Sequence, residues 1–203
     1  MAHASAFRGL SEAYALAGTP IMVRVPSVFD KALSPQSVED GKPVDPRRLQ
    51  MGTTLGFPVV YEAMGKLGLD SVAYYMAFAL RDQKLGGDIA AAIRAHLLAI
   101  KGGTVTDWGE VRLATPEGNE IPWQRLRFDG PQVFLVRTPD DEVEYRSMKG
   151  VIEVFLRPEA GQWLVVVFRA PLEMEQSIDL GGLAAVTCGA VTISEEAAES
   201  PVE

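Results

Sequence analysis

The sequence predicts an α+β fold, a predominantly antiparallel β-sheet with helices packed on its faces. Three stretches carry that expectation. Residues 151–169, VIEVFLRPEAGQWLVVVFR, place two runs of Val, Ile, Leu, Phe and Trp around Pro158-Glu159-Ala160-Gly161, a turn of hairpin length. Residues 71–80, SVAYYMAFAL, alternate large and mostly small side chains with the period of a strand. Residues 88–100, DIAAAIRAHLLAI, combine an Asp N-cap and high alanine content, and Gly102-Gly103 stops the helix.

In the hairpin, Ile152, Val154 and Leu156 share one face of the first strand, and Val151, Glu153, Phe155 and Arg157 the other. On the second strand Leu164, Val166 and Phe168 oppose Trp163, Val165, Val167 and Arg169. Both faces of that strand are largely apolar, the pattern of a strand covered on both sides, so the hairpin belongs at the centre of the sheet.

Around this centre the remaining elements follow in chain order. Residues 5–17, with Phe7, Leu10, Tyr14 and Ala17 at helical spacing, read as a short amphipathic helix. Residues 20–26, PIMVRVP, read as a strand bounded by prolines. Residues 27–54 carry Pro35, Pro43 and Pro46 and read as a long surface excursion, with a turn of helix near Arg47-Arg48-Leu49. Residues 57–67, FPVVYEAMGKL, fit a helix with Pro58 in its first turn and Gly68 at its end. In 71–80, Val72, Tyr74, Met76, Phe78 and Leu80 take one face. Ala73, Ala77 and Ala79 take the other with Tyr75, and this small-residue face lets a helix approach closely.

Helix 88–100 buries Ile89, Ile93, Leu97 and Ile100, with His96 at the border of that stripe. Residues 104–128 read as a hairpin turning at 115–119, with Trp108 and Trp123 as candidate cross-strand partners. Residues 132–137 are a further short strand. Residues 138–150 are a polar connector that can continue pairing through Val143 and Tyr145. Residues 177–193 read as a final helix capped by Ser177, with a closing strand at 185–193 left open. No repeat or composition break divides the chain, so the expectation is one domain over 1–193 and a disordered acidic tail, 194–203.

Size and charge limit the function. The 203 residues carry 47% hydrophobic and 23% charged residues, ordinary for a globular domain with a sizeable core. The formal charge is −8, and Glu195, Glu196, Glu199 and Glu203 supply half of it from the last nine residues. A mildly acidic body lacks the basic footprint needed for nucleic acid or for anionic lipid. The single cysteine, Cys188, excludes an intramolecular disulfide and sits among small apolar residues as a buried hydrophobe. No stretch is long and apolar enough for a membrane helix, and the first residues do not resemble a secretory signal. The expectation is a soluble cytoplasmic protein.

The sequence offers little concentrated chemistry. Two histidines, His3 and His96, and one cysteine cannot assemble a usual zinc or copper site. Asp140, Asp141, Glu142 and Glu144 lack calcium-loop spacing and read as a solvated loop. No nucleophile elbow, P-loop or dinucleotide fingerprint is present. The basic concentrations are Asp45-Pro46-Arg47-Arg48 and Trp123-Gln124-Arg125-Leu126-Arg127, and in the second Arg125 and Arg127 share a face with Trp123 and cover it. An anion- or partner-binding patch is the alternative reading of that pair. No catalytic, cofactor-binding or metal-ligating residue is assigned, and no cofactor.

Three segments resemble the Mog1/PsbP-like group, which includes DcrB and DUF1795 domains. They are IMVRVP (21–26), the capped helix 88–100 with the paired strands that follow through Phe128, and the hairpin whose second strand reads QWLVVVFRAP (162–171). The resemblance implies an α/β/α sandwich and relatives that are mostly binding or accessory proteins without a shared catalytic constellation. An N-terminal helix, the 27–54 excursion and the extra segment 130–148 depart from that pattern. The expected function is therefore a non-catalytic binding or accessory protein whose partner is another protein, with homodimerisation open. The alternative is a small-ligand-binding protein or enzyme using 27–54 as a lid. The working surface is expected in 27–54 or 130–148.

Overall fold

β-Branched and aromatic residues on both faces of Gln162–Pro171 (β11) make this strand one that two layers must cover. The computed structural model, which describes residues 9–16, 19–29, 31–33, 38–39, 42–43, 59–66 and 72–194, supplies both. Among the described residues β11 is the middle strand of a seven-stranded antiparallel sheet, in the order β3-β6-β7-β11-β10-β9-β8. The others are Lys31–Leu33 (β3), Tyr61–Lys66 (β6), Ala73–Asp82 (β7), Thr104–Ala114 (β8), Glu120–Arg137 (β9) and Val143–Glu159 (β10). Tyr14–Ala15 (β1), Ile21–Val23 (β2) and Thr192–Ile193 (β12) form a small second sheet, and Val38–Glu39 (β4) pairs with Lys42–Pro43 (β5). The fold is α+β.

One face of the main sheet is covered by Ile89–Leu98 (α1), whose Ile89, Ile93 and Leu97 pack in one cluster with Ala73, Ala77, Ala79, Ile152, Val154, Leu156, Val165 and Val167. The helix starts where Asp88 accepts a hydrogen bond from the Ala91 amide at 3.0 Å. His96 is half-buried beside the stripe. The other face packs Tyr74, Met76, Phe78, Val151, Phe155, Leu164, Val166 and Phe168 against β2 and Leu180–Gly189 (α3), which follows the single turn Glu175–Ile178 (α2). The alternation in 73–80 and 151–169 thus points to the faces the structure uses, whereas Val72, expected beside Tyr74 and Met76, packs with the α1-side cluster instead.

Four expectations need correction. Where 57–67 is expected to be helix, Tyr61–Lys66 forms strand β6. Its Glu, Ala, Met and Lys favour helix, but β7 requires a partner, and Tyr61–Lys66 supplies one in register with Ala73–Phe78. Gly65 permits that approach, because a Cβ there would stand 2.3 Å from the Tyr74 ring. Within 5–17, the described residues are extended, not helical: Leu10 bridges Pro26 and Tyr14 pairs with Val23, tertiary partners that outweigh a short helix marginal by itself. Trp108 and Trp123 are not partners, since the register that runs unbroken from the 115–119 turn sets Trp108 opposite Leu126 and Trp123 opposite Val111. The 132–137 strand and the 138–150 connector are not separate elements but parts of β9 and β10, which run continuously past Gly130 and Gly150 and turn at 138–142, and the pairing expected through Val143 and Tyr145 is present.

Residues 177–193 contain both alternatives, α3 and then the short β12. Asp179, rather than Ser177, caps α3, accepting from the Gly182 amide at 3.2 Å. The proposed turn of helix at Arg47–Leu49 and the tail from Glu195 onward lie outside the described residues.

The central turn is also shorter than its sequence suggests. Pro158 and Glu159 remain in the ladder opposite Trp163 and Gln162, leaving a two-residue loop, Ala160-Gly161, with φ of 48° and 74°. Two positive φ values match the right-handed twist of a tight hairpin, and alanine is a poor residue for the first of them. Replacing Ala160 with Asn, which tolerates this conformation, is expected to raise stability by about 0.5–1 kcal/mol in urea denaturation, with an unchanged m-value.

Candidate functional site

Gly130 and Gly150 face one another in the β9–β10 ladder. At this row the flanking strands stop: β11 ends with Pro171 opposite Gly150, and β8 begins with Thr104 opposite Asp129. Beyond it, among the described residues, β9 and β10 continue without a flanking ladder as a two-stranded arm, 131–149. An isolated two-stranded ribbon is marginal in water, so the arm needs tertiary support.

Its β9 edge turns back over the α1 face of the sheet. Val136 bridges Val72 at the start of β7, although β10 and β11 lie between β9 and β7 in the sheet order. The glycine row permits this bend, since a Cβ on Gly150 would lie 2.7 Å from the Phe134 ring and 2.8 Å from Gln132 Nε2. Phe134 and Val136 are buried, and Phe134 joins the cluster that contains Ile93 and Leu97.

Arg169 fastens the arm. Its side chain is 2% exposed, its Nε donates to Gln132 Oε1 at 2.7 Å, and its Nη2 donates to the Val133 carbonyl. The guanidinium lies 4.4 Å from the centre of the Phe134 ring and 5.5 Å from that of Tyr75. An edge carbonyl of the arm is therefore satisfied by a side chain from the middle of the sheet. Burial pulls the Arg169 pKa down to about 10, which leaves it charged at neutral pH, and the nearby Tyr75 and buried Glu62 oppose that fall. Burial likewise pushes the Tyr75 phenol up to about 12, against the pull of the Arg169 charge. Gln132 Nε2 is enclosed without a hydrogen-bond partner among the described residues, and the Tyr75 hydroxyl faces the backbone of Leu135 in the arm, which favours its ionised form and partly offsets the effect of burial.

With its β9 edge and the β9 side chains Gln132, Phe134 and Val136 fixed, the arm presents its other face outward. Cross-strand neighbours Leu135 and Tyr145 lie between Val133 and Val143 on that face. Tyr145 is 75% exposed, Val143 55% and Val133 47%, and Leu135 is half-buried. The acidic run 140–144 forms the tip: Asp141, at φ 66°, pairs with Arg137, and Glu144 pairs with Arg146. It is a solvated turn, as its composition suggests.

On the opposite face of the sheet, Arg125 grips Glu153 with two bonds of 2.9 and 3.0 Å. Arg127 reaches Glu153 at 3.2 Å, Asp129 at 3.2 Å and Glu175 Oε2 at 2.8 Å. The hydrogen bond to Glu175, more than any other cause, holds the Arg127 pKa above its ordinary value, while partial burial opposes it. These arginines share a face with Trp123 as expected, but Arg157 is the one that covers it, 5.2 Å from the ring centre. Both guanidiniums are engaged with carboxylates, and the network ties α2 to β9. Cys188 is fully buried and burial holds its thiol well above the usual range, so it is a poor nucleophile at neutral pH. Among the described residues no group of His, Cys, Asp and Glu is arranged to hold a metal ion. His3 and the 45–48 run lie outside the described residues.

The sequence marks 130–148 as an additional segment, with a short strand and a polar connector, and does not single out the residues that fasten the arm. Their signals are present in the sequence: a charge, Arg169, in a strand whose two faces are largely apolar, and glycines at both ends of 131–149. No family model matches this chain, and no curated protein matches it.

The shift at Tyr75 has a pH consequence. A phenol raised from 10 to about 12 contributes stability that is complete below pH 10 and lost as pH rises toward 12. Arg169, lowered to about 10, works in the opposite sense across the same window. Tyr75→Phe removes only the first effect, so the variant is expected to gain on the parent by roughly 1 kcal/mol between pH 9.5 and about 11. Paired denaturation curves at the two pH values check it. The parent's phenolate absorbance is expected to show one tyrosine ionising after the others.

Proposed function

We propose that this chain is a non-catalytic binding or accessory domain that engages another protein through the outward face of the 131–149 arm. The observation that carries this reading is the exposure of Tyr145, Val143 and Val133 together on a hairpin whose β9 edge and β9 side chains Gln132, Phe134 and Val136 are built into the core. A tyrosine with aliphatic neighbours, held on a rigid support, supplies contact area at a low ordering cost. The polar groups behind it are used to fasten the arm. The mildly acidic charge favours a protein partner over nucleic acid or anionic lipid, and the reading places the protein in the cytoplasm. No helix of the described residues is long and apolar enough to cross a membrane. Helices on both sheet faces agree with the arrangement implied by the Mog1/PsbP-like resemblance, whose members are mostly accessory proteins, and membership of that group is part of the proposal.

The test is affinity capture from the native cytoplasm with mass spectrometry, comparing the parent with Val143→Ser/Tyr145→Ala. The double variant is expected to change stability by no more than about 0.5 kcal/mol, because both side chains face solvent. It is expected to lose the parent's principal partner. Equal recovery of every partner by parent and variant would reject the arm as the binding surface.

A further inference from the structure

Away from the arm, a groove of about 340 Å³ runs between the N-terminal segment and α3. Leu10, Pro26 and Val28 form one wall, and Ile178, Leu183 and Val186 the other. The Leu10–Pro26 bridge and the bond from the Ser27 amide to the Gly9 carbonyl, 2.6 Å, hold the first wall together. The second is the side of α3 next to the residues that enter the core, Leu180, Ala184 and Cys188. Its volume lies at the lower end of the roughly 300–1,000 Å³ typical of small-molecule sites, and it is predominantly apolar, as such sites are.

The charged residue in this wall is Asp179. It is exposed and adopts the left-handed conformation, φ 45° and ψ 59°, between α2 and α3. Oδ1 accepts from the Gly182 amide, so the positive end of the α3 dipole is already met by a carboxylate of this chain. A further anion at the groove would meet Asp179, whereas a cation would be attracted to it.

We propose that the groove is a binding site for a small apolar amine, with its hydrocarbon or aryl body against Leu10, Val28, Leu183 and Val186 and its ammonium group at Asp179. This site is separate from the arm and goes beyond the protein-binding reading. Either can fail without the other.

The test is an NMR titration of the full chain with three probes of similar shape: phenethylamine, phenylethanol and phenylacetate. Phenethylamine is expected to give saturable shifts at the amides of Leu10, Val28 and Gly182, with a Kd on the order of 1 mM. Phenylethanol is expected to bind roughly threefold to fivefold more weakly, and phenylacetate more weakly still. Asp179→Asn retains an acceptor for the Gly182 amide and tolerates the left-handed conformation, so it is expected to fold and to bring amine and alcohol to equal affinity. Val186→Trp is expected to fill the groove and abolish the shifts. The proposal is overturned if the amine gives no saturable shifts at these amides, if phenylacetate binds as well as the amine, or if Asp179→Asn leaves the amine's advantage intact.

Discussion

Two-sided burial of β11 is the constraint on which the other elements depend. Leu164, Val166 and Phe168 must leave water on one side, and Val165 and Val167 on the other. At about 25 cal/mol per Å², fully burying each large side chain contributes roughly 1.5–3 kcal/mol, so leaving either face open would forgo several such contributions. The chain meets this with α1 on one side and with α3 and the small β1-β2-β12 sheet on the other. The alanine face of β7 lies on the α1 side, where a helix must come close. The bulky face, with Tyr74, Met76 and Phe78, lies on the side where a strand layer and a helix leave more space to fill.

Such a centre gives charged side chains few ways to be accommodated, and Glu153 and Arg169, the buried ones in the central hairpin, show two of them. Glu153 is met by Arg125 and Arg127, a charge-assisted network that also secures α2. Arg169 is flanked by aromatic rings and donates to Gln132 and to the backbone of the arm. Removing one partner of a buried charge is costly, so both charges favour one arrangement over alternatives of similar compactness. The result at Arg169 is a hairpin extension that is part of the core on one side and free on the other. A surface fixed in this manner has little ordering cost left to meet on binding.

How far the fold could be read from residues alone depended on whether the deciding partner was local. Strand alternation in 73–80 and 151–169, and the cap and stripe of 88–100, are properties of contiguous residues, and they point to the observed faces and ends. The 57–67 segment misleads because its local preference is helical while its fate is set by the unpaired edge of β7, a partner distant from its own pattern. The turn at 160–161 misleads because Pro158 resembles a turn residue, although a proline at this position can stay paired in the strand. The arm was recognised as an additional segment. Its bend and clamp require knowing that β8 and β11 both stop at the Gly130–Gly150 row, which follows from register and not from composition. Arg169 was visible as a charge in a doubly covered strand, but its acceptor is a backbone carbonyl thirty-six residues away.

Native-state hydrogen exchange addresses the docking of the arm most directly. If Arg169, Phe134 and the Val72–Val136 bridge make the arm part of the core, amides of Phe134, Leu135 and Val136 that exchange measurably slowly should open with free energies within about 1 kcal/mol of those in Val165–Val167. Exchange of the arm amides by local opening several kcal/mol below the β11 amides, with the sheet still protected, would show that the arm is not held and would contradict a preformed surface at Tyr145.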